Sequence, residues 1–272
     1  FPDGGMHAVP VALAAAAEKA GARFRYETTV ESIVLSHGST GAVRGVRLAD
    51  GELVPADAVV CSPDLPAAYR TLLPGLPAPR QARRGRYSPS ALVVHRGVRG
   101  ELPPGTAHHN IYFGGEWDGA FRALLRDGRR MPDPSYLVTG PTLGDPTMAP
   151  PGGHVLFALE PVPNLDGDVD WTIERERAAA ELGSRLAQRG FPTDVDVEVV
   201  VDPTDWQRAG MERGTPFALA HRFFQSGPFR PANVNRRAPG LVFTGSGTVP
   251  GVGVPMVLVS GRLAADRVDG GP

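Results

Sequence analysis

Pro239-Gly-Leu-Val-Phe-Thr-Gly-Ser-Gly-Thr-Val-Pro-Gly-Val-Gly-Val-Pro-Met-Val-Leu-Val-Ser-Gly-Arg-Leu-Ala-Ala-Asp-Arg267 reads as three consecutive pieces. A short buried strand runs from Leu241 to Thr244, a turn rich in glycine and proline follows, and a helix begins at about Val254. Gly245, Gly247, Gly251 and Gly253 carry no Cβ, so the backbone can turn sharply and let a ligand come close. The free N–H groups that open the helix suit an anionic or negatively polarised group. Pro255 falls in the first helical turn, where its missing N–H costs nothing. Small residues at Ser260, Gly261, Ala264 and Ala265 let the helix pack tightly on a sheet. An ordinary strand-to-helix connection explains a generic glycine turn. Four glycines and two prolines in eleven residues point instead to a cofactor cradle.

Composition narrows the classes around that stretch. A chain of 272 residues, 42% of them hydrophobic, is long enough for one large or two modest domains with a real core. Its 28 basic and 29 acidic side chains leave a net charge of −1, which offers no basic face for nucleic acid, so no such partner is expected. The single cysteine, Cys61, excludes an internal disulfide and fits a reducing cytoplasm. No apolar run approaches the roughly 18–20 residues that span a bilayer, and no basic-then-apolar leader opens the chain. It starts at Phe1 without an initiator Met, and reads as a piece of something longer or a processed product.

Taken in order, the chain alternates helical and strand patterns. Val11 to Ala20 is an alanine-rich helix closed by Gly21. Phe24 to Thr28 and Val30 to Leu35 read as strands, and Val43 to Leu48 alternates as a half-buried strand does. Asp50-Gly51 predicts a hairpin turn returning through Glu52 to Val54, and Ala56 to Ser62 is a further buried strand. Asp64 to Leu73 reads as a helix, and the three prolines from Pro74 to Pro79 mark a boundary. Arg80, Arg83, Arg84 and Arg86 form a basic run, read either as a solvated surface or as a contact with anionic lipid headgroups. From Ser90 onward the pattern is α+β. Strands are expected at Ala91–Val98, Tyr136–Thr139, His154–Glu160 and Val195–Val201, with helices at Trp117–Leu125 and about Trp171–Arg189.

The motif from Thr244 to Arg267 resembles the C-terminal flavin motif of bacterial carotenoid (phytoene) desaturases, FAD-dependent members of the amine-oxidase-like flavoprotein group. Further phrases share the resemblance: the Gly4-Gly-Met start, Ala58-Val-Val-Cys-Ser-Pro, His108-His-Asn-Ile-Tyr-Phe, Met131-Pro-Asp-Pro-Ser-Tyr and Thr139-Gly-Pro-Thr-Leu-Gly-Asp-Pro. Pro203-Thr-Asp-Trp, Gly214-Thr-Pro-Phe-Ala-Leu-Ala-His and Phe229-Arg-Pro complete it, so that it covers essentially the whole chain. The resemblance implies an α/β plus α+β fold: part of a two-dinucleotide-binding-type FAD domain, residues 1–65 and 226–272, with an inserted substrate-binding domain of mixed sheet and helices, residues 66–225. It implies FAD as cofactor. The backbone of Val30 would read the adenine, and Gly245, Ser246, Gly253, Val254, Pro255 and Met256 would form the cradle. It implies a hydrophobic carotenoid substrate, dehydrogenation of an allylic C–C unit, and a cytoplasmic protein peripheral to the membrane. A carotenoid isomerase, saturase or ketolase is the alternative within the group. A non-catalytic chain that binds an apolar ligand or a partner subunit is the alternative outside it. The family's Gly-x-Gly-x-x-Gly pyrophosphate turn has no counterpart here, so an N-terminal half or a partner subunit is expected to supply it.

Other chemistries find little footing. His108-His109, adjacent on an expected strand, would point to opposite faces, and no metal is expected. No Gly-x-Ser-x-Gly elbow marks a hydrolase. Asp133, Asp145 and Glu160 read as turn or cap residues, and Cys61 as a buried small residue. No catalytic side chain is named. Phe113, Trp117, Phe121, Phe217, Phe223 and Phe224 are candidates to line an apolar tunnel.

Overall fold

A computed structural model describes residues 1–270. The chain runs through α1 (Ala8–Lys19), β1 (Val30–His37), β2 (Thr40–Leu48), β3 (Leu53–Pro55), β4 (Val59–Cys61), α2 (Leu65–Thr71) and α3 (Arg80–Arg84). It continues through β5 (Ser90–Arg99), β6 (His109–Tyr112), α4 (Trp117–Leu125), β7 (Tyr136–Thr139), β8 (Gly153–Val162) and α5 (Trp171–Gln188). It ends with β9 (Asp194–Val201), α6 (Pro203–Arg208), β10 (Leu241–Phe243) and α7 (Val254–Val268). These divide into two compact units, one of residues 1–24 and 89–205, the other of residues 25–88 and everything from Trp206.

In the second unit β1, β2 and β3 form an antiparallel meander, and β4 and β10 a parallel pair. The Asp50 carboxylate accepts the Glu52 N–H at 2.9 Å and so fixes the β2–β3 hairpin. Gly45 is required in β2, because a Cβ there would lie 2.1 Å from the Val54 carbonyl. The alternate residues Ile33 and Leu35 of β1 and Val43 of β2 pack with Cys61, Leu65, Tyr69 and Phe243 in one core. Asp64 caps α2, accepting the Leu65 N–H at 2.9 Å. One expected strand is absent: Phe24–Thr28 stays irregular, because Glu27 takes a φ of +53°, which an extended run does not permit.

In the first unit five antiparallel strands stand in the order β6-β7-β8-β5-β9. α5 covers one face, with Ala179, Leu182 and Leu186 packed on Val94, Val98, Val138, Leu156 and Ala158. Period-2 alternation puts Glu160 in that same buried row, so it is a core residue and not the turn or cap the sequence pattern suggested. Asp145 does behave as a cap, accepting the Thr147 and Gly4 N–H groups, whereas Asp133 caps no helix and accepts the Gly115 and Glu116 N–H groups ahead of α4. α1 has no buried residue, although most of its side chains are apolar.

Candidate functional site

The site is built on the parallel pair in the second unit. β10 pairs in register with β4, Leu241 on Val59 through Phe243 on Cys61, and the Thr244 N–H continues the ladder to the Cys61 carbonyl at 3.0 Å. Both strands then release the chain at their carboxyl ends, β4 into Ser62–Asp64 and α2, β10 into the glycine turn and α7. Ligands of parallel α/β sheets sit at such ends. A cleft of ≈ 290 Å³ opens there, lined by Ser62, Asp64, Met211, Thr244, Ser246 and Gly247 among others.

The turn is held from inside by three polar side chains. Ser260, fully buried on α7, accepts the Gly245 N–H at 3.1 Å and the Thr244 hydroxyl at 3.2 Å. The buried Asn233 amide donates to the Phe243 carbonyl at 2.9 Å and the Val249 carbonyl at 3.4 Å. The Arg230 guanidinium donates to the carbonyls of Ser246, Thr248 (3.0 Å) and Leu219 (3.4 Å). The carbonyls of Ser246, Thr248 and Val249 are thus engaged by buried side chains. The turn's N–H groups at Ser246, Gly247, Gly251, Val252 and Gly253 have no acceptor among the described residues. A backbone with its acceptors engaged and its donors free attracts an anionic or electron-rich group.

Gly253 caps α7 at φ +110° and ψ 148°, and Gly251 takes φ +139°, conformations that L side chains rarely adopt. A Cβ on Gly247 would fall 3.0 Å from Leu65 Cβ and 3.3 Å from the Asp64 carboxylate. Burial pushes the Asp64 carboxyl up from the usual range, against the N–H groups of Glu212 and Leu65 that it accepts. Burial raises the Cys61 thiol to about 11, so it stays protonated and inert at neutral pH.

Of the seven residues singled out from sequence, Gly245, Ser246, Gly253, Val254, Pro255 and Met256 lie on this turn and the first turn of α7. Val30 opens β1, opposite Leu48. Arg230, Asn233 and the hub role of Ser260 escaped the sequence reading. One signal was available: no acidic residue occurs from Arg213 to Ala265, so Arg230 has no nearby carboxylate in sequence.

The first unit offers a second surface. The sheet face opposite α5 carries cross-strand rows Val199–His95–Phe157–Thr139–His109 and Val201–Val93–Leu159–Leu137–Ile111. Ile111 is 60% exposed, Val197 58% and Val199 53%. The outer face of an antiparallel sheet is usually polar, and an exposed apolar one marks a binding surface. Phe113, Trp117 and Phe121 stack at 5.5 Å centroid spacings in the same unit. His108 precedes β6, so strand alternation does not separate it from His109. Their rings meet edge-to-face at 4.6 Å, contrary to the opposite-faces reading. Among the described residues no group of three or more His, Cys, Asp or Glu side chains is placed so that it could hold a metal ion.

A parallel strand pair feeding a donor-lined glycine turn and a helix, in a chain that also carries an antiparallel sheet unit, defines a nucleotide-cofactor protein of two-part architecture. The chain belongs to the flavin-containing amine oxidoreductase family, whose model it matches over residues 1–269. It is 45% identical to a phytoene dehydrogenase of Streptomyces griseus, over 99% of this chain and 53% of that protein. It is 40% identical to a zeta-carotene-forming phytoene desaturase of Myxococcus xanthus, over 98% of this chain and 52% of that one. The chain therefore spans about half the length of the curated relatives it matches. The fold is similar to that of an oxidoreductase from Methanosarcina mazei, with a TM-score of 0.62, 17% identity, and coverage of 98% of this chain and 55% of the other.

Proposed function

We propose that this chain is the C-terminal part of an FAD-dependent desaturase acting on a long apolar polyene of the phytoene type. The observation that carries the reading is the 45% identity to a phytoene dehydrogenase across 99% of the chain, both surfaces described above included. FAD fits the turn on physical grounds: positive-φ glycines admit close approach, the N–H groups of Ser246, Gly247 and Gly251–Gly253 have no acceptor among the described residues, and Asp64 is the one acidic side chain lining the cleft. Residues 1–65 and 226–272 would make the flavin share, with the Val30 backbone on the adenine and Gly245, Ser246 and Gly253–Met256 on the ribityl and ring side. Residues 66–225 would make the substrate share. Bound flavin would supply hydride acceptance. The protein's own work would be to orient the cofactor and to hold the polyene on the apolar sheet face away from water. An N-terminal half or partner subunit would hold the pyrophosphate.

The test is product analysis. The chain completed by the N-terminal half of the Streptomyces griseus relative, supplied with FAD and phytoene in liposomes, is expected to yield products with longer conjugation and red-shifted absorption. Geometric isomers of unchanged conjugation would point to the isomerase alternative. No product and no retained flavin would leave the non-catalytic reading.

We further propose peripheral membrane contact through the second unit. No helix among the described residues is long and apolar enough to cross a membrane. Exposed Phe223 and Phe224 stack with Phe229, with ring centroids 5.0–5.8 Å apart. The basic run adjoins them: the Gln81 amide donates to the Phe229 carbonyl at 3.2 Å, and Gln225 bonds to the Arg86 backbone in both directions at 2.8 Å. Neutralising Arg80, Arg83, Arg84 and Arg86 together is expected to weaken binding to liposomes rich in anionic lipid by at least tenfold, at about 1 kcal/mol per charge. Unchanged partition would return the run to a solvated surface.

A further inference from the structure

Arg230 is only 3% exposed, and every acceptor it meets among the described residues is a backbone carbonyl, on Ser246, Thr248 and Leu219. Among the described residues no carboxylate lies in ion-pair distance of it. A guanidinium stripped of water without a contacting counter-charge is costly, and no neutral side chain carries enough N–H donors to bond all three carbonyls at once. Retaining a positive charge here calls for a role that a neutral group would not fill. Burial pulls the guanidinium below its usual range, while the nearby Asp64 carboxylate favours the charged form. A Cβ on Gly251 would meet Arg230 Nε at an ordinary contact distance of 3.6 Å and press more closely on His221 Nε2, at 3.3 Å.

Two consequences follow for whatever occupies the turn. The planar fork fixes the carbonyls of Ser246 and Thr248 on the protein side, and because a trans peptide sets C=O and the next N–H in opposite directions, it fixes the Gly247 N–H pointing away from the guanidinium. The charge itself lies beneath the turn and favours an electron-rich occupant. We propose that Arg230 is the positioning residue of the flavin cradle, fixing the donors of the turn and stabilising the reduced, more negative flavin over the oxidised one. This rests on the flavin reading above.

Arg230→Met and Arg230→Lys, made in the chain completed by the N-terminal half of the Streptomyces griseus relative, test it with three readouts. Without flavin, amide hydrogen exchange of Thr244, Gly245, Thr248 and Val249, the bonded N–H groups of the turn, should quicken about tenfold in both variants, as when one charge-assisted hydrogen bond is lost. β5 and β8 should keep the parent's rates. With added FAD, the dissociation constant should rise about tenfold in both, because a lysine ammonium cannot span three carbonyls. The reduction potential of bound flavin should fall in Arg230→Met by about 30 mV, a tenfold change for a two-electron couple, and should return in Arg230→Lys, which restores the charge. Unchanged exchange in the turn overturns the positioning role. An unchanged potential in Arg230→Met, in a chain whose parent holds flavin, overturns the charge role. A parent that takes up no FAD counts against the flavin reading and takes the charge role with it, while the exchange measurement still decides whether Arg230 holds the turn. If Arg230→Met does not fold, Arg230→Lys carries the exchange and affinity comparisons.

Discussion

Gly253→Val is expected to leave the completed enzyme with less than a tenth of the parent's bound flavin after desalting, read from flavin absorbance per chain. The reason is conformational. Gly253 stands at φ +110° and ψ 148°, a region open to glycine and strained for any L side chain. Holding another residue there costs about 1–3 kcal/mol, and a β-branched side chain adds stiffness at χ1. A Cβ built on Gly253 meets nothing within 4 Å, so the effect does not come from a clash. Relief has to come from rotating the backbone, which re-aims the N–H groups of Gly253 and Val254 at the opening of α7. At about 1.4 kcal/mol per tenfold, that strain translates into roughly five- to a hundredfold weaker binding. Gly261→Ala is the control. Gly261 lies inside α7 with a helical φ and open space around its Cβ, and alanine there should stabilise the helix by up to about 1 kcal/mol and leave flavin content unchanged. Full flavin in Gly253→Val would remove the turn from the cofactor site.

Much of this architecture was legible because the relevant signals are local. The Trp117–Leu125 helix and the Tyr136–Thr139 strand have the expected bounds, and β10, the turn and α7 follow the order that strand, glycine and proline chemistry dictated. Gly245, Gly251 and Gly253 could be named as turn residues because positive φ is a property of a single residue. What holds the turn could not. Arg230, Asn233 and Ser260 converge from three separate segments, and which carbonyl an arginine meets is decided by tertiary packing. The same limit hid Glu160. Its neighbours along the strand, Leu156, Ala158 and Val162, are buried on one face, and only the partners from other elements show why a carboxylate stands among them. The sheet face opposite α5 was obscured for a related reason. Its strands are apolar on both faces, so alternation does not tell core from binding surface. The failed strand at Phe24–Thr28 shows the reverse case, in which β-favouring side chains lose to the backbone of Glu27.

Arg130→Met in the first unit is expected to lower stability by about 3–5 kcal/mol, and Arg130→Met/Glu160→Leu to recover most of that loss. Glu160 is fully buried between the sheet and α5, and its carboxylate accepts from Arg130 at 3.0 Å and Arg185 at 3.3 Å. Arg130 also bridges to Glu174 at 2.7 Å and Glu181 at 2.9 Å, both on α5, so it ties the helix to the sheet. Burial pushes the Glu160 carboxyl up from its usual range, and the attraction of Arg130 opposes this. Removing Arg130 alone leaves a buried carboxylate with one remaining cation, the arrangement that costs most. At roughly 2–4 °C per kcal/mol for chains near this size, the melting temperature should fall by about 10 °C. The deficit should also depend on pH with a definite sign. Without Arg130 the folded-state pKa of Glu160 rises further above its unfolded value, so folding favours the protonated form. Stability is then retained below the ordinary carboxylate range and lost as the pH rises toward the folded pKa, so the deficit should be larger at neutral pH than near pH 5. The double variant removes both charges and leaves apolar groups of similar volume, which a core accepts at little cost. Chemical denaturation of the parent and the two variants, at both pH values, separates the terms. A double variant no more stable than Arg130→Met would mean that Arg130 contributes through its packing against α5 and not through its charge.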